Sequence, residues 1–247
     1  MNVFEQLVNV RDTRGAGYLV LVDPDRWTLP EVDDFVERIN SSGADAIMVG
    51  STLILGEQMK EKMVRIKERA NLPVILFPGN INQLTPHVDA VLYLSIISGR
   101  NPQYLIGDQV TGAPLVRQLG LEAISTAYML VESGNVTTAA FMSGTQPLPR
   151  NKLEITVAHA LAAEYLGFKV IYLEAGSGAR ESVPEEMVAA VAHSVKLPII
   201  VGGGIRTQEC ASRLVAAGAS FVVTGNILES SDDPKIMESF ANAIHTR

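Results

Sequence analysis

One acidic residue, Glu174, follows an apolar run and precedes a glycine-rich turn. Residues 170–173 read Val-Ile-Tyr-Leu, and Gly176-Ser177-Gly178 follow the acid. A carboxylate at the carboxyl end of a parallel strand, beside bare backbone, is how α/β sheets present a catalytic group next to a small anion. Taken alone, the segment is better explained as a solvated loop acid beside an ordinary turn, so the other strand ends must decide.

Two further glycine-rich strand ends indicate a phosphate site. GGG at 202–204 and GN at 225–226 each follow a short apolar run. Glycine lets the backbone approach an anion and donate N–H groups to it. Many barrels bind phosphate after their last two strands, often with a short extra helix, here expected at 227–230. Tight turns alone would explain one such segment, but two in the expected places favour a phosphate.

Oxygen ligands follow the first two apolar runs. Asp23 lies in an Asp-Pro-Asp turn, and Ser51 and Thr52 end the next run. A carboxylate with a hydroxyl suits Mg²⁺, with water and substrate phosphate completing the shell. A turn acceptor explains Asp23 equally well. Glu174 would lie between metal and phosphate as a general base, with Tyr172 orienting it or the substrate; a barrel-wall aromatic explains Tyr172 nearly as well.

Eight apolar runs, alternating with helix-periodic segments, must position these groups. Strands are predicted at 18–22, 46–49, 73–77, 90–97, 122–131, 169–174, 198–201 and 220–224. Helices are predicted at 2–10, from 28, at 57–70, 102–119 and 152–166, from 182, at 207–217 and from 233.

This alternation predicts an α/β fold, a (β/α)₈ TIM barrel that forms a single domain over residues 1–247. The third helix is weak or missing, because 82–88 allows one turn or less, and 134–149 is a polar insertion that acts as a lid or an edge. A doubly wound sheet is the competing architecture, but it would not usually need eight evenly spaced units.

Composition limits the classes of partner. The chain of 247 residues is 47% hydrophobic with a net charge of −7, and no Lys/Arg run could track a nucleic acid. The single cysteine, Cys210, excludes an intramolecular disulfide and a Cys-cluster metal site. The N-terminus lacks a long apolar core, so a cytoplasmic protein is expected.

Five segments together resemble the geranylgeranylglyceryl phosphate synthase family, which is related to bacterial heptaprenylglyceryl phosphate synthases. They are VDPD (22–25), GADAIMVGST (43–52), YLEAGSGA (172–179), VGGGIR (201–206) and VTGN (223–226). The resemblance implies a Mg²⁺-dependent prenyltransferase that joins sn-glycerol 1-phosphate to geranylgeranyl diphosphate through an ether bond and releases diphosphate. Some relatives have a lysine two residues before the metal-binding aspartate, where this chain has Leu21.

The resemblance also implies roles for individual residues. Asp23 and Thr52 would hold the metal, and Glu174 would take the proton from the primary hydroxyl of glycerol phosphate. The residues implied to bind glycerol phosphate are Tyr172, Leu173, Glu174, Ala175, Gly176, Ser177, Gly178, Gly203, Gly204, Gly225 and Asn226.

The prenyl tail needs an apolar groove. Candidates are Tyr93, Ile96, Ile97, Tyr104, Tyr128 and Phe141, although ordinary core packing explains each of them better. The helix at 102–119 presents apolar residues that serve equally well as an oligomer face, and a homo-oligomer, dimer or hexamer, is expected. Contact with a membrane is peripheral at most.

Two other functions remain open at the level of sequence. A phosphosugar isomerase, epimerase or aldolase-type barrel would use the same phosphate loops with a second acid/base residue opposite Glu174. A phospho-ligand-binding barrel would have no turnover at all.

Overall fold

Eight parallel strands close into a barrel in a computed structural model that describes residues 1–53, 56, 58–231 and 233–247. The strands are β1 (Gly17–Val22), β2 (Ala46–Val49), β3 (Val74–Leu76), β4 (Ala90–Ile96), β5 (Glu122–Leu130), β6 (Val170–Glu174), β7 (Ile199–Gly202) and β8 (Phe221–Thr224). Each strand pairs with the next in the sequence, and β8 pairs with β1, so no edge is left open. The predicted single-domain (β/α)₈ barrel is confirmed.

Helices surround this barrel within the described residues. They are α1 (Val3–Arg14), α2 (Leu29–Asn40), α3 (Met59–Arg69), α4 (Asp108–Gln118), α5 (Thr138–Ser143), α6 (Leu153–Tyr165), α7 (Glu185–Ser194), α8 (Gln208–Ala216), α9 (Asn226–Ser230) and α10 (Ile236–Ile244). The short α9 occupies the place predicted for the extra helix after the eighth strand. None of the described helices is long and apolar enough to cross a membrane.

Side chains alternate along each strand between the barrel interior and the layer beneath the helices. In β6, Tyr172 belongs to the interior cluster, whereas Ile171 and Leu173 pack against the helices. Both faces are therefore buried, which explains why the strands are apolar throughout rather than at every second residue. Glu174 ends this strand and lines the mouth of the barrel, at the carboxyl ends of the strands.

Between β3 and β4, where a barrel helix would be expected, the chain forms one 3₁₀ turn, Ile81–Gln83. This agrees with the sequence prediction that the helix after the third strand is weak or missing. Gln83 fixes this turn: its Oε1 accepts from the N–H of Gly79 at 2.9 Å and its Nε2 donates to the carbonyl of Ser51 at 2.9 Å. A full helix would cover the barrel between β3 and β4. Its absence leaves room for an apolar cavity at this side.

The helix predicted at 102–119 begins instead with a π-helical turn, Gln103–Gly107, before α4. The irregular turn is stabilised by Gln109, whose Nε2 donates to the carbonyl of Tyr104 at 3.1 Å and to that of Leu94. Periodicity could not predict this wider turn, because it depends on one buried side chain reaching two carbonyl groups.

The insertion at 134–149 contains α5 and a short return to the barrel. Thr138 and Ala139 line the mouth, and Leu148 forms an isolated parallel bridge with Val131 at the end of β5. The segment is thus both a partial cover of the mouth and an extension of the sheet.

Candidate active site

A cavity of about 540 Å³ lies at the carboxyl ends of the strands. It is lined by eleven of the thirteen residues predicted from the sequence: Asp23, Thr52, Tyr172, Glu174, Gly176, Ser177, Gly178, Gly203, Gly204, Gly225 and Asn226. These residues come from five different strand ends. The barrel therefore brings together groups that are as far apart in sequence as Asp23 and Asn226.

Leu173 and Ala175 do not line the cavity. Both are buried beneath the helices, because strand alternation turns their side chains away from the barrel interior. Neither side chain can therefore contact a ligand at the mouth.

Glu174 is the buried acid of the site, with 5% of its surface exposed. Its Oε1 accepts a hydrogen bond from the N–H of Gly176 at 2.6 Å. Burial raises the pKa of Glu174 to about 7, because removal from water disfavours the charged form, while the Gly176 N–H acts in the opposite direction. A carboxyl group with a pKa near neutrality exchanges protons readily at physiological pH, as a general base requires.

Three aromatic rings pack below Glu174. Tyr172 stacks on Phe77 with ring centroids 5.4 Å apart and meets Tyr128 edge to face at 5.3 Å. The buried hydroxyl of Tyr172 lies beside the Glu174 carboxyl group, and its interaction with that carboxyl group opposes the rise in the Glu174 pKa. Tyr172 also lines the cavity, where its side chain can contact a bound ligand.

Two glycines at the mouth, Gly176 and Gly203, are required by close packing. Gly203 has φ +82°, and a Cβ there would meet Glu174 Oε1 and, at 2.5 Å, the nitrogen of Gly176. A Cβ on Gly176, which has φ +99°, would collide with Thr137 at the start of α5. Ser177 Oγ donates to Asn226 Oδ1 at 3.1 Å and so connects the loops after β6 and β8.

Asp23 has a structural role as well as a position at the cavity. Its Oδ1 accepts the N–H of Asp25 at 3.1 Å, the turn role considered from the sequence, and its Oδ2 lies 3.7 Å from Arg26 Nε. The Asp23 carboxylate and the Thr52 hydroxyl offer a metal ion oxygen ligands only. Such donors fit Mg²⁺, which commonly takes one or two protein carboxylates and completes its shell with water and phosphate. The described residues contain no group of three or more His, Cys, Asp or Glu that could hold a metal without substrate.

A second cavity, apolar and about 170 Å³ in volume, continues from the mouth towards the gap left by the missing third helix. Four predicted groove residues line it: Tyr93, Ile96, Tyr104 and Tyr128. Ile97 packs in the core instead, and Phe141 is 77% exposed.

The two cavities share five lining residues: Thr52, Leu53, Phe77, Tyr128 and Ala139. A polar chamber and an apolar chamber therefore adjoin at the mouth of the barrel. A ligand with a charged head and an apolar tail can occupy both.

Three charged residues at the mouth were not singled out from the sequence. Arg26 Nη1 lies 3.8 Å from Oε2 of Glu229 in α9. Burial is the main cause that raises the pKa of the Glu229 carboxyl group. Arg206 donates to the carbonyls of Ala179 and Arg180 at 2.5 and 2.9 Å. The two arginines could have been found from the sequence, because Arg26 follows the VDPD motif and Arg206 ends the VGGGIR motif. Only the closed barrel shows that Arg26, Arg206 and Glu229 line one cavity.

Fold and site together define a TIM-barrel enzyme whose active site lies at the carboxyl ends of the strands, with glycine loops on one side of a buried acid and an apolar chamber on the other. The chain belongs to the PcrB family, whose model matches residues 8–244.

Similar proteins carry one functional name. A geranylgeranylglyceryl phosphate synthase of Pyrococcus furiosus is 46% identical over 216 residues, covering 87% of this chain and 85% of the relative. One from Chitinophaga pinensis is 41% identical over 228 residues, covering 92% and 90%. The crystal structure of (S)-3-O-geranylgeranylglyceryl phosphate synthase from Thermoplasma acidophilum, in complex with its substrate sn-glycerol-1-phosphate, superimposes with a TM-score of 0.93 at 33% identity, covering 99% of both chains.

More distant barrels share the fold alone. An archaeal fructose 1,6-bisphosphate aldolase (TM-score 0.64, 13% identity) and an N-acetylmannosamine-6-phosphate 2-epimerase from Clostridium perfringens (0.59, 14%) are examples. At such identities the likeness supports the architecture but no shared reaction.

Proposed function

We propose that this protein is a geranylgeranylglyceryl phosphate synthase, a prenyltransferase that joins sn-glycerol 1-phosphate to geranylgeranyl diphosphate. The observation that carries the proposal is the meeting of a glycine-lined polar chamber with an apolar chamber beside one buried acid. A phosphosugar isomerase has no need of the second chamber. The names of relatives that share 41–46% of their residues with the chain support the same function.

Glycerol phosphate occupies the polar chamber in this proposal. Backbone N–H groups at Gly203, Gly204 and Gly225 bind the phosphate, and Ser177 and Asn226 position the glycerol between the loops. Tyr172, whose buried hydroxyl lies beside Glu174 and which lines the chamber, donates to or accepts from the bound ligand. The primary hydroxyl of glycerol then lies against Glu174.

The reaction exchanges one C–O bond for another. The bond between C1 of the prenyl chain and the diphosphate oxygen breaks, and C1 acquires allylic cation character. The glycerol oxygen attacks C1 to form the ether while Glu174 removes its proton, and the diphosphate leaves with the bonding electrons. The raised pKa of Glu174 suits this role because the carboxylate holds the proton it receives near neutral pH.

Mg²⁺ is part of the proposal. Asp23 and Thr52 would hold the ion at the mouth, opposite the phosphate loops. When bound, Mg²⁺ supplies charge neutralisation to the diphosphate as it departs. The chain itself contributes oxygen donors, and Arg26 lies beside them as a second source of positive charge.

The apolar chamber accommodates the first part of the prenyl tail. Tyr93, Ile96 and Tyr128 line it, and burial of the tail against them excludes water from C1. The C20 length is taken from the names of the relatives.

Incubation with labelled sn-glycerol 1-phosphate, geranylgeranyl diphosphate and Mg²⁺ tests the proposal. We expect an organic-extractable ether lipid and stoichiometric diphosphate. sn-Glycerol 3-phosphate is the matched control, because it has the same charge and opposite configuration and should react far more slowly. If no prenyl diphosphate from C10 to C35 gives an extractable product, the function is refuted and a phospho-ligand-binding or phosphosugar barrel remains.

Self-association and location complete the proposal. Apolar side chains on α4 and its π-helical turn are exposed, with Ile106 at 59% and Val110 at 64%. A homo-oligomer, dimer or hexamer, would cover them, and light scattering coupled to size exclusion would give its mass. We further propose a cytoplasmic location with peripheral membrane contact at most.

A further inference from the structure

A buried lysine lies behind the turn that carries Asp23. Lys62, on α3, is 7% exposed, and its ammonium donates to the carbonyl of Pro24 at 2.8 Å. Among the described residues it has no carboxylate partner within 4.0 Å; the other buried or half-buried cations of α3, Arg65 and Lys67, are paired with Asp33 and Asp89.

Burying an ammonium without a carboxylate is costly, so its position calls for a reason. Lys62 lines neither cavity. What it does contact is the backbone between the two aspartates of Asp23-Pro24-Asp25. A charged donor bound to that carbonyl fixes the backbone on either side of it.

The turn is held at two other points by its own acids. Asp23 Oδ1 accepts the N–H of Asp25 at 3.1 Å, and Asp25 Oδ1 accepts the N–H of Gly56 at 3.2 Å. These bonds fix the acidic side chains against backbone, and the contact of Arg26 with Glu229 joins the turn to α9. Lys62 adds a hydrogen bond from α3 to the turn backbone, from a residue 38 positions away in the sequence.

We infer that Lys62 is a positioning residue: by holding the Pro24 carbonyl, it fixes the turn so that the Asp23 carboxylate faces the bound cation and diphosphate. The inference rests on the proposed function for the role of Asp23, but not for the contact itself.

The chain provides a reporter for this turn. Trp27, the only tryptophan, directly follows the 3₁₀ turn Pro24–Arg26 and stacks on Phe35 with ring centroids 4.5 Å apart. We expect its fluorescence to change when a ligand binds at the turn, which measures binding without turnover. Inorganic pyrophosphate with Mg²⁺ serves as the probe for the diphosphate end.

The test compares Lys62→Met with wild type in the full chain. We expect the Mg²⁺ and pyrophosphate concentrations that half-saturate the Trp27 signal to rise about tenfold, because a hydrogen bond to a charged donor is lost and the turn becomes mobile. In the prenyl transfer assay, the KM for prenyl diphosphate should rise by the same factor, and the KM for glycerol phosphate should stay within twofold.

Lys67→Met is the matched control, since it makes the same change on the same helix, at an ion pair with Asp89 away from the turn. It should leave both half-saturation values unchanged. Should Lys62→Met not fold, Lys62→Gln replaces it, because the shorter neutral amide keeps a polar group but cannot reach Pro24 as the ammonium does.

The inference is overturned if a folded Lys62 variant has the same half-saturating Mg²⁺ and pyrophosphate concentrations as wild type. It is also overturned if Lys67→Met raises these concentrations as much as the Lys62 variant does. Absence of prenyl transfer by wild type refutes the proposed function instead. The fluorescence titration distinguishes the two failures, because it needs only binding. A shift that is confined to Lys62 variants supports the positioning role.

Discussion

Replacement of Glu174 by glutamine should remove activity and, above neutral pH, stabilise the fold. Glutamine is nearly isosteric, and its Oε1 can still accept from the Gly176 N–H that Glu174 binds at 2.6 Å. What is lost is the ability to take a proton. General base catalysis contributes roughly 10²–10⁴-fold, so kcat should fall by that factor while the KM for glycerol phosphate changes little.

The stability effect follows from the raised pKa of Glu174. In the folded state burial raises this pKa from 4.5 to about 7. Because the pKa of Glu174 is higher in the folded state than in the unfolded state, the stability that the protonated carboxyl group contributes is fully present below about pH 4.5. It is lost as the pH rises through 7, because the buried carboxyl group must then ionise. This rise in pKa corresponds to about 3 kcal/mol in the free energy of unfolding.

Chemical denaturation of Glu174→Gln and wild type at pH 4.5 and pH 8.5 measures this effect. From pH 4.5 to pH 8.5, the free energy of unfolding of the variant should increase by up to about 3 kcal/mol relative to that of wild type. Glu132→Gln, an exposed acid just beyond β5, is the control and should show neither change. A Glu174→Gln enzyme with near wild-type kcat, or one whose stability relative to wild type is independent of pH, would refute the assignment of Glu174 as a buried base.

Four further outcomes follow from the same site. In wild type, kcat/KM for glycerol phosphate should rise with pH through about 7, as Glu174 ionises; a flat profile contradicts this. Gly203→Ala, which introduces a Cβ against Glu174 Oε1 at φ +82°, should weaken glycerol phosphate binding at least tenfold and destabilise the fold by about 1–3 kcal/mol, as calorimetry would show. Asp23→Ala should raise the half-saturating Mg²⁺ concentration at least tenfold, and unchanged metal dependence argues against its role. Ile96→Trp should fill the apolar chamber and reduce kcat/KM for C20 diphosphate more than for C10, measured side by side; an equal loss contradicts the groove.

The architecture was predictable because each local signal agreed with the others. Strands buried on both faces must be apolar throughout, and the runs at Ala46–Val49 and Val170–Glu174 are short enough to exclude helices. The sequence also predicts that no regular helix follows the third strand, because residues 78–86, PGNINQLTP, contain too many turn-forming residues for an α-helix. The π-helical turn before α4 was not readable, because it depends on Gln109 reaching two carbonyls.

Within the site, the sequence by itself determined which groups end the strands. Glu174, the glycines after β7 and β8, and Asp23 were all identifiable, because the carboxyl ends of barrel strands meet at one mouth. The direction of each side chain was a different matter. Leu173 and Ala175 belong to the same motif as Glu174, yet their side chains lie beneath the helices, since alternation along β6 turns them away.

Tertiary structure alone decided the chemistry of the acid and the shape of the site. The pKa of Glu174 is raised because the closed barrel removes its carboxyl group from water, and no local pattern contains that burial. The junction of polar and apolar chambers arises where β2, β3, β5 and α5 approach one another at Thr52, Phe77, Tyr128 and Ala139. The sequence supplied the residues of this site, and burial and closure of the barrel gave them one cavity and raised the pKa of its buried acid, Glu174, to about 7.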